Sequence, residues 1–182
     1  VRHPRSKWAV PARFLAGKAY QRLNSCERAI GPPELARDES QDSATVAEAR
    51  ALLGDCYPKL NDPAAAAAAY RPLLASRDSA VRHAALFAVG VAELSNGDPA
   101  GAVDDLLASG DPRAAAYRVI GLARSGRPGP AVALADSLMA RHDSTVVWDS
   151  VFAAVGNADP ELGSALVDRR AVGSDVTPQV RA

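Results

Sequence analysis

"LLGDCYPKLNDPAAAAAAYRPLL", Leu52 to Leu74, sets six consecutive alanines between an Asp-Pro pair and a tyrosine. Alanine is the strongest helix former and gives up almost no side-chain entropy on folding. A linker would bring Gly, Ser or more Pro in its place. The stretch therefore reads as the end of one helix, a turn at Asn61-Asp62-Pro63, and a second helix whose small side chains let it lie very close to the first.

The same grammar continues on both sides. Apolar residues recur at three- and four-residue spacing in "WAVPARFLAGKAYQRL", "ATVAEARALLGDCY", "AVRHAALFAVGVAEL", "AAAYRVIGLARSG" and "TVVWDSVFAAVG". Between and after them stand Asn24-Ser25, Asn61-Asp62-Pro63, Asn96-Gly97-Asp98-Pro99, Gly126-Arg127-Pro128 and Asn157-Ala158-Asp159-Pro160. Asp or Asn before Pro stops one helix and restarts another, because the side chain caps the new helix and proline at its first turn loses no hydrogen bond. No stretch alternates like a strand. With 48% hydrophobic but only 5% aromatic residues, the core must be built from Ala, Leu and Val, which suits helix–helix contacts rather than a β-sandwich. The chain is expected to be all-α. Taking Asn24, Asn61, Gly97, Gly126 and Ala158 as markers, the turns recur at intervals of 37, 36, 29 and 32 residues. The expected hairpins cover approximately 8–37, 44–76, 80–109, 112–141 and 144–170.

Helix hairpins of about 34 residues are the unit of tetratricopeptide repeats, and the residues of this chain resemble that family. In the second copy Leu53, Gly54 and Tyr57 stand in the first helix, with Ala66 and Tyr70 in the second. The first copy matches at Gly17, Tyr20 and Ala29, and the third at Gly90 and Ala102. In all three the alanine follows the glycine by twelve residues. The resemblance implies a right-handed α-solenoid of antiparallel hairpins, one domain over residues 1–182, with 171–182 as a flexible tail or link. Gly and Ala would allow two backbones to approach, and of the alanine run only Ala66 is required by the pattern. A low-complexity slip explains its outer members equally well. The family's first-helix tryptophan is missing, with Arg13, Arg50 and Leu86 in its place. Pro58 and Pro72 fall late in helices and predict kinks. The opening "HPRSKWAVPARFLAGKAYQRL" is similar to repeat starts of bacterial cell-envelope members. It points to the envelope or periplasm, with the cytoplasm left open.

What the resemblance implies about function is a concave groove that captures a peptide or partner helix. Its residues would be Phe14, Lys18, Gln21 and Arg22 in the first repeat, Glu48, Asp55 and Lys59 in the second, Phe87, Val91 and Leu94 in the third, and Arg124 in the fourth. Phe14 and Phe87 would anchor an apolar side chain or else pack against neighbouring helices. Lys18 and Arg22 would pair with carboxylates of the bound segment.

Signals for chemistry are weak by comparison. His3, His83 and His142 show no metal-ligand spacing, and neither cysteine lies in a C-x-x-C, so no metal or cofactor is expected. His142-Asp143-Ser144 places triad residue types in sequence, not in triad geometry. "GRPGPA" lacks the Lys-Ser/Thr of a phosphate loop, and Trp148-Asp149 lacks the strands of a propeller blade. Asp104 and Asp105 are adjacent on a helix and so face apart. The expectation is a non-catalytic interaction scaffold, the alternative an accessory arm of a larger envelope enzyme such as a cell-wall hydrolase. Formal charge is zero, but residues 1–37 hold eight Lys/Arg against two Asp/Glu and the remainder thirteen against nineteen. That basic end is where nucleic acid would bind, but the zero net charge and the lack of interleaved aromatics argue against nucleic acid as the partner. No apolar run reaches the roughly 18 residues of a membrane span, and the opening residues lack the apolar core of a signal peptide. Beginning at Val1 and stopping at "TPQVRA", the chain is expected to be a piece of a longer protein. Cys26 and Cys56 either pair or serve as small buried apolar side chains, the second reading being preferred.

Overall fold

The computed structural model describes residues 6–142 and 146–174. Among these residues there is no strand, and the chain is helical almost throughout. The helices are α1 (Ala9–Arg22), α2 (Cys26–Ala29), α3 (Gly31–Glu39), α4 (Ser43–Cys56), α5 (Pro63–Tyr70), α6 (Ser79–Asn96), α7 (Pro99–Ser109), α8 (Ala114–Arg124), α9 (Pro128–Ala140), α10 (Trp148–Ala158) and α11 (Pro160–Ser174). They fall into two compact units, residues 1–97 and 98–182, so the third expected hairpin is shared between them.

The starts and stops follow from the punctuation residues. Asp62 accepts from the Ala65 amide ahead of α5, and Asp98 from the Gly101 amide ahead of α7, each with proline at the first helical position. Asp42 and Asp78 cap α4 and α6 in the same way, through Ala44 and Thr45 and through Ala80 and Val81. Four of the five turn markers adopt the left-handed conformation that reverses the chain: Asn24 at φ 53°, Asn61 at 59°, Gly97 at 86° and Gly126 at 75°. Pro58 and Pro72 end their helices rather than giving the expected kinks. The last turn of α4 tightens into a 3-10 segment at Tyr57–Leu60, and that of α5 into another at Arg71–Ala75. Proline lacks the N–H for an i to i−4 bond, and the 3-10 turn is how the helix ends there. A further break lies in the first hairpin, where Pro32 and Pro33 start α3 afresh just after α2.

In the first unit α1 packs on α2, α3 and α4, α3 on α4, α4 on α5, and α5 on α6. Its core is a series of small clusters. Cys26, Ala29, Leu52 and Cys56 form one, with Phe14, Tyr20 and Ile30 against it. Tyr70, Leu73, Ala85 and Val89 form a second, and Ala66, Ala67 and Ala92 a third under Tyr57. The second unit packs α8 on α7, α9 and α10, and α11 on α9 and α10. It has one larger apolar cluster that includes Val119, Leu138, Val151, Val155 and Leu166, all fully buried. Of the expected tail, residues 171–174 are the last turn of α11. Residues 175–182, like 144 and 145 of the fifth hairpin, lie outside the described residues.

Candidate interaction surface

The residues assigned to repeat packing are inside. Gly17, Ala29, Leu53, Gly54, Ala66, Tyr70, Gly90 and Ala102 are buried, and Tyr20 and Tyr57 half-buried. The contact made by the glycines differs in detail from the expected Gly–Ala approach. A Cβ on Gly54 would run into the ring of Tyr70, and one on Gly17 into Pro33, with the Ala29 carbonyl next at 3.4 Å. Each glycine thus makes room for a rigid ring sixteen residues on. Ala66 instead belongs to the small-residue cluster with Ala92 of α6 and Tyr57.

Three of the tyrosines also hold polar contacts. The Tyr70 hydroxyl donates to Asp55, and burial, then this bond, pushes its ionisation upward. The Tyr57 hydroxyl donates to Glu34 at 2.9 Å. Its pKa is pushed up to about 12, first by burial and then by the neighbouring carboxylate. Tyr20 accepts from Arg28 at 3.0 Å, with the guanidinium over its ring at 4.3 Å.

Several of the residues expected to line a groove meet along α1, α4 and the 3-10 segment after α4, but as a self-paired ladder. Lys18 donates to Glu48 at 3.3 Å, Gln21 to Asp55 at 3.1 Å, and Lys59 to Asn24 at 2.9 Å. Lys18 also lies 4.9 Å from the centre of the Phe14 ring, which packs on the cluster around Cys26 and Cys56. A partner carboxylate would therefore compete with Glu48 for Lys18. Arg22 is exposed and makes no ion pair among the described residues. On α6, Phe87 and Val91 are half-buried, while Leu94 is only 6% exposed and offers a partner no surface. Arg124 ends α8 in the second unit.

The preferred reading of the cysteines needs correction. Cys26 and Cys56 are both buried, and they are joined in a disulfide with Cα atoms 5.1 Å apart. The bond ties α2 to the last turn of α4. Helix packing, rather than sequence spacing, brings the two together across thirty residues.

A cleft that was not anticipated lies in the first unit where the N-terminal turns of α4 and α6 meet the end of the second 3-10 segment. It is an open cleft of about 690 Å³. Val46, Ala47, Leu73 and Val81 supply apolar wall, and Gln41, Ser43, Arg50, Ser76, Arg77 and Asp78 supply polar groups. Asp78 is occupied in capping α6. Neither Arg50 nor Arg77 makes a hydrogen bond or salt bridge to a described residue, though Arg50 lies within electrostatic reach of Asp38. Arg50 was visible in the sequence as the residue replacing the family's tryptophan. Arg77 sits in a turn with no pattern to mark it. The α6 residue Glu93 also escaped notice, buried and accepting from Arg71 at 3.0 Å.

Of the residues with catalytic chemistry, His83 is exposed near the start of α6 and His142 lies two residues past α9 at φ 50°. His3, Asp143 and Ser144 lie outside the described residues. Among the described residues no three His, Cys, Asp or Glu side chains form a metal-binding cluster, and no helix is long and apolar enough to cross a membrane. No protein-family model, curated protein or solved structure matches the chain.

Proposed function

We propose that the chain is a non-catalytic protein-interaction scaffold, a right-handed solenoid of tetratricopeptide-like hairpins that takes up a peptide or partner helix. The observation that carries this reading is the cleft at the start of α4 and α6. Apolar wall and two arginines that make no ion pair with a described residue suit a short segment that carries an apolar side chain beside a carboxylate. The volume is that of a site for one or two side chains, within the roughly 300–1,000 Å³ usual for ligand pockets. The ladder between α1 and α4 would then set the spacing of the first helices and lend Arg22 and Phe14 to a longer partner. The buried disulfide supports an oxidising compartment such as the bacterial periplasm.

Selection of a displayed peptide library on the immobilised chain tests this reading, with counter-selection on the double variant Arg50→Glu/Arg77→Glu. The expected outcome is a family of peptides with an apolar residue next to Asp, Glu or a free C-terminus. Their affinity should fall at least tenfold on the variant while its circular dichroism stays helical. Peptides that bind both proteins equally would exclude the cleft as the working surface.

A further inference from the structure

The turns that lead into α4 and α6 repeat one phrase, Glu39-Ser40-Gln41-Asp42-Ser43-Ala44 and then Ala75-Ser76-Arg77-Asp78-Ser79-Ala80. They also fold alike. Ser40 and Ser76 each accept from the amide of the aspartate two residues on, and Asp42 and Asp78 each cap the helix that follows. The helices ahead of these turns match as well. Ala12 to Asn24 and Ala49 to Asn61 share A-R-x-L-x-G-x-x-Y-x-R/K-L-N, and each glycine makes room for the ring sixteen residues on, Pro33 or Tyr70. Helices α1 to α3, and α4 with α5 and its 3-10 end, are thus copies of one hairpin. In that correspondence Arg50 takes the place of Arg13, and Ala75 the place of Glu39.

The first copy satisfies its arginine from within. Arg13 donates to Glu39, and its side chain is only 12% exposed. A carboxylate at the end of the last helix thereby meets a guanidinium on the first. In the second copy Arg50 is half-buried at the corresponding position, but Ala75 has no carboxylate to offer it. Both residues line the cleft. Acidic groups around Arg50 are engaged elsewhere. Asp38, within its electrostatic reach, is held by Arg37 at 2.7 and 3.2 Å, and Asp42 and Asp78 are spent on their caps. The turn adds a further change of the same sign, since Arg77 stands where the first copy has Gln41. Relative to its own internal counterpart, the cleft has lost an anion and gained a cation.

We infer that the cleft selects an acidic side chain of the bound peptide, whose carboxylate takes on Arg50 the place that Glu39 takes on Arg13. Arg77 supplies an outer cation, and Val46, Leu73 and Val81 receive the neighbouring apolar side chain. This rests on the cleft being the peptide site and names the group it recognises. Charge-assisted bonds to a guanidinium are about twice as strong as neutral ones, so the carboxylate should dominate selection.

NMR titration of the isotope-labelled chain tests the assignment, with N-acetyl-Leu-Glu amide as probe and N-acetyl-Leu-Gln amide as its neutral counterpart. The acidic probe should shift the amides of Val46, Ala47 and Val81 and bind about tenfold more tightly than the neutral one. Ala75→Glu restores the missing carboxylate from within. Position 75 is exposed, so the variant should fold, which circular dichroism checks. It should reduce the acidic probe to the affinity of the neutral one, and Arg50→Gln should do the same. N-acetyl-leucine, whose carboxylate is terminal, should bind more weakly than the acidic probe; tighter binding would assign Arg50 to a chain terminus and overturn the side-chain choice. Equal binding of the acidic and neutral probes would overturn the proposal while leaving the cleft as an apolar peptide site. So would an Ala75→Glu variant that binds the acidic probe as tightly as the unaltered chain. If no probe moves the cleft amides, the proposal and the cleft fall together.

Discussion

Gly54 and Tyr70 show how a single missing side chain sets a helix distance. A helical glycine costs about 1 kcal/mol relative to alanine, and here it is kept because the Tyr70 ring occupies the space of its Cβ. That ring is 9% exposed and anchored through its hydroxyl to Asp55, so it has little freedom to retreat. Gly54→Ala should therefore overpack the pair at a cost on the order of 1–3 kcal/mol, reduced by the better helix propensity. In a Tyr70→Ala background the same substitution should become neutral or stabilising by up to about 1 kcal/mol. Urea melts of the four proteins check this, and an equal effect in both backgrounds would remove the ring from the explanation. The sequence showed that Gly54 mattered and that Tyr70 belonged to the same motif. It did not show that they touch, since the twelve-residue Gly-to-Ala offset drew the eye to Ala66. An offset reports that a position is small or special, whereas the neighbour it faces depends on helix crossing, which no linear spacing encodes.

At the scale of helices the local signals were the most legible. Asp-Pro pairs, left-handed Asn and Gly residues and the two late prolines act within a few residues of themselves, giving the expected caps and reversals and, at the prolines, 3-10 turns in place of the expected kinks. The disulfide is the opposite case. Residues Cys26 and Cys56 meet only because α2 and α4 are both laid against α1, so nothing near either cysteine announces the bond. Closing a loop with a sequence separation of thirty residues restricts the unfolded chain and is worth about 3–4 kcal/mol in the chain-entropy account. Chemical denaturation of the double variant Cys26→Ser/Cys56→Ser should show a loss of that order. A loss below about 1 kcal/mol would mean that the bond crosses a contact already held by packing. The Arg50–Arg77 cleft was hidden for a related reason. Its walls come from three elements, each contributing residues that are ordinary in their own stretch of sequence.

On the scale of the whole chain the disulfide also separates the two units experimentally. The bond and both cysteines lie within residues 1–97, while the large apolar cluster of Val119, Leu138, Val151 and Leu166 lies within residues 98–182. The two units have separate apolar clusters, so a loss in one need not spread to the other. The two tryptophans report on different units. Trp8 is 67% exposed and should change its emission little on unfolding. Trp148 is half-buried, its ring 5.7 Å from that of Phe152 and under the Arg170 guanidinium at 4.8 Å, so its emission should follow the second unit. Reduction of the disulfide should then lower the midpoint of the early part of the helical circular-dichroism transition while the Trp148 fluorescence midpoint stays in place. The effect of a loss near 3–4 kcal/mol on a unit of this size is a shift on the order of 10 °C or more, well within detection. If the Trp148 midpoint falls by the same amount as the circular-dichroism signal, the chain melts as one cooperative body and the independence of its two halves is wrong.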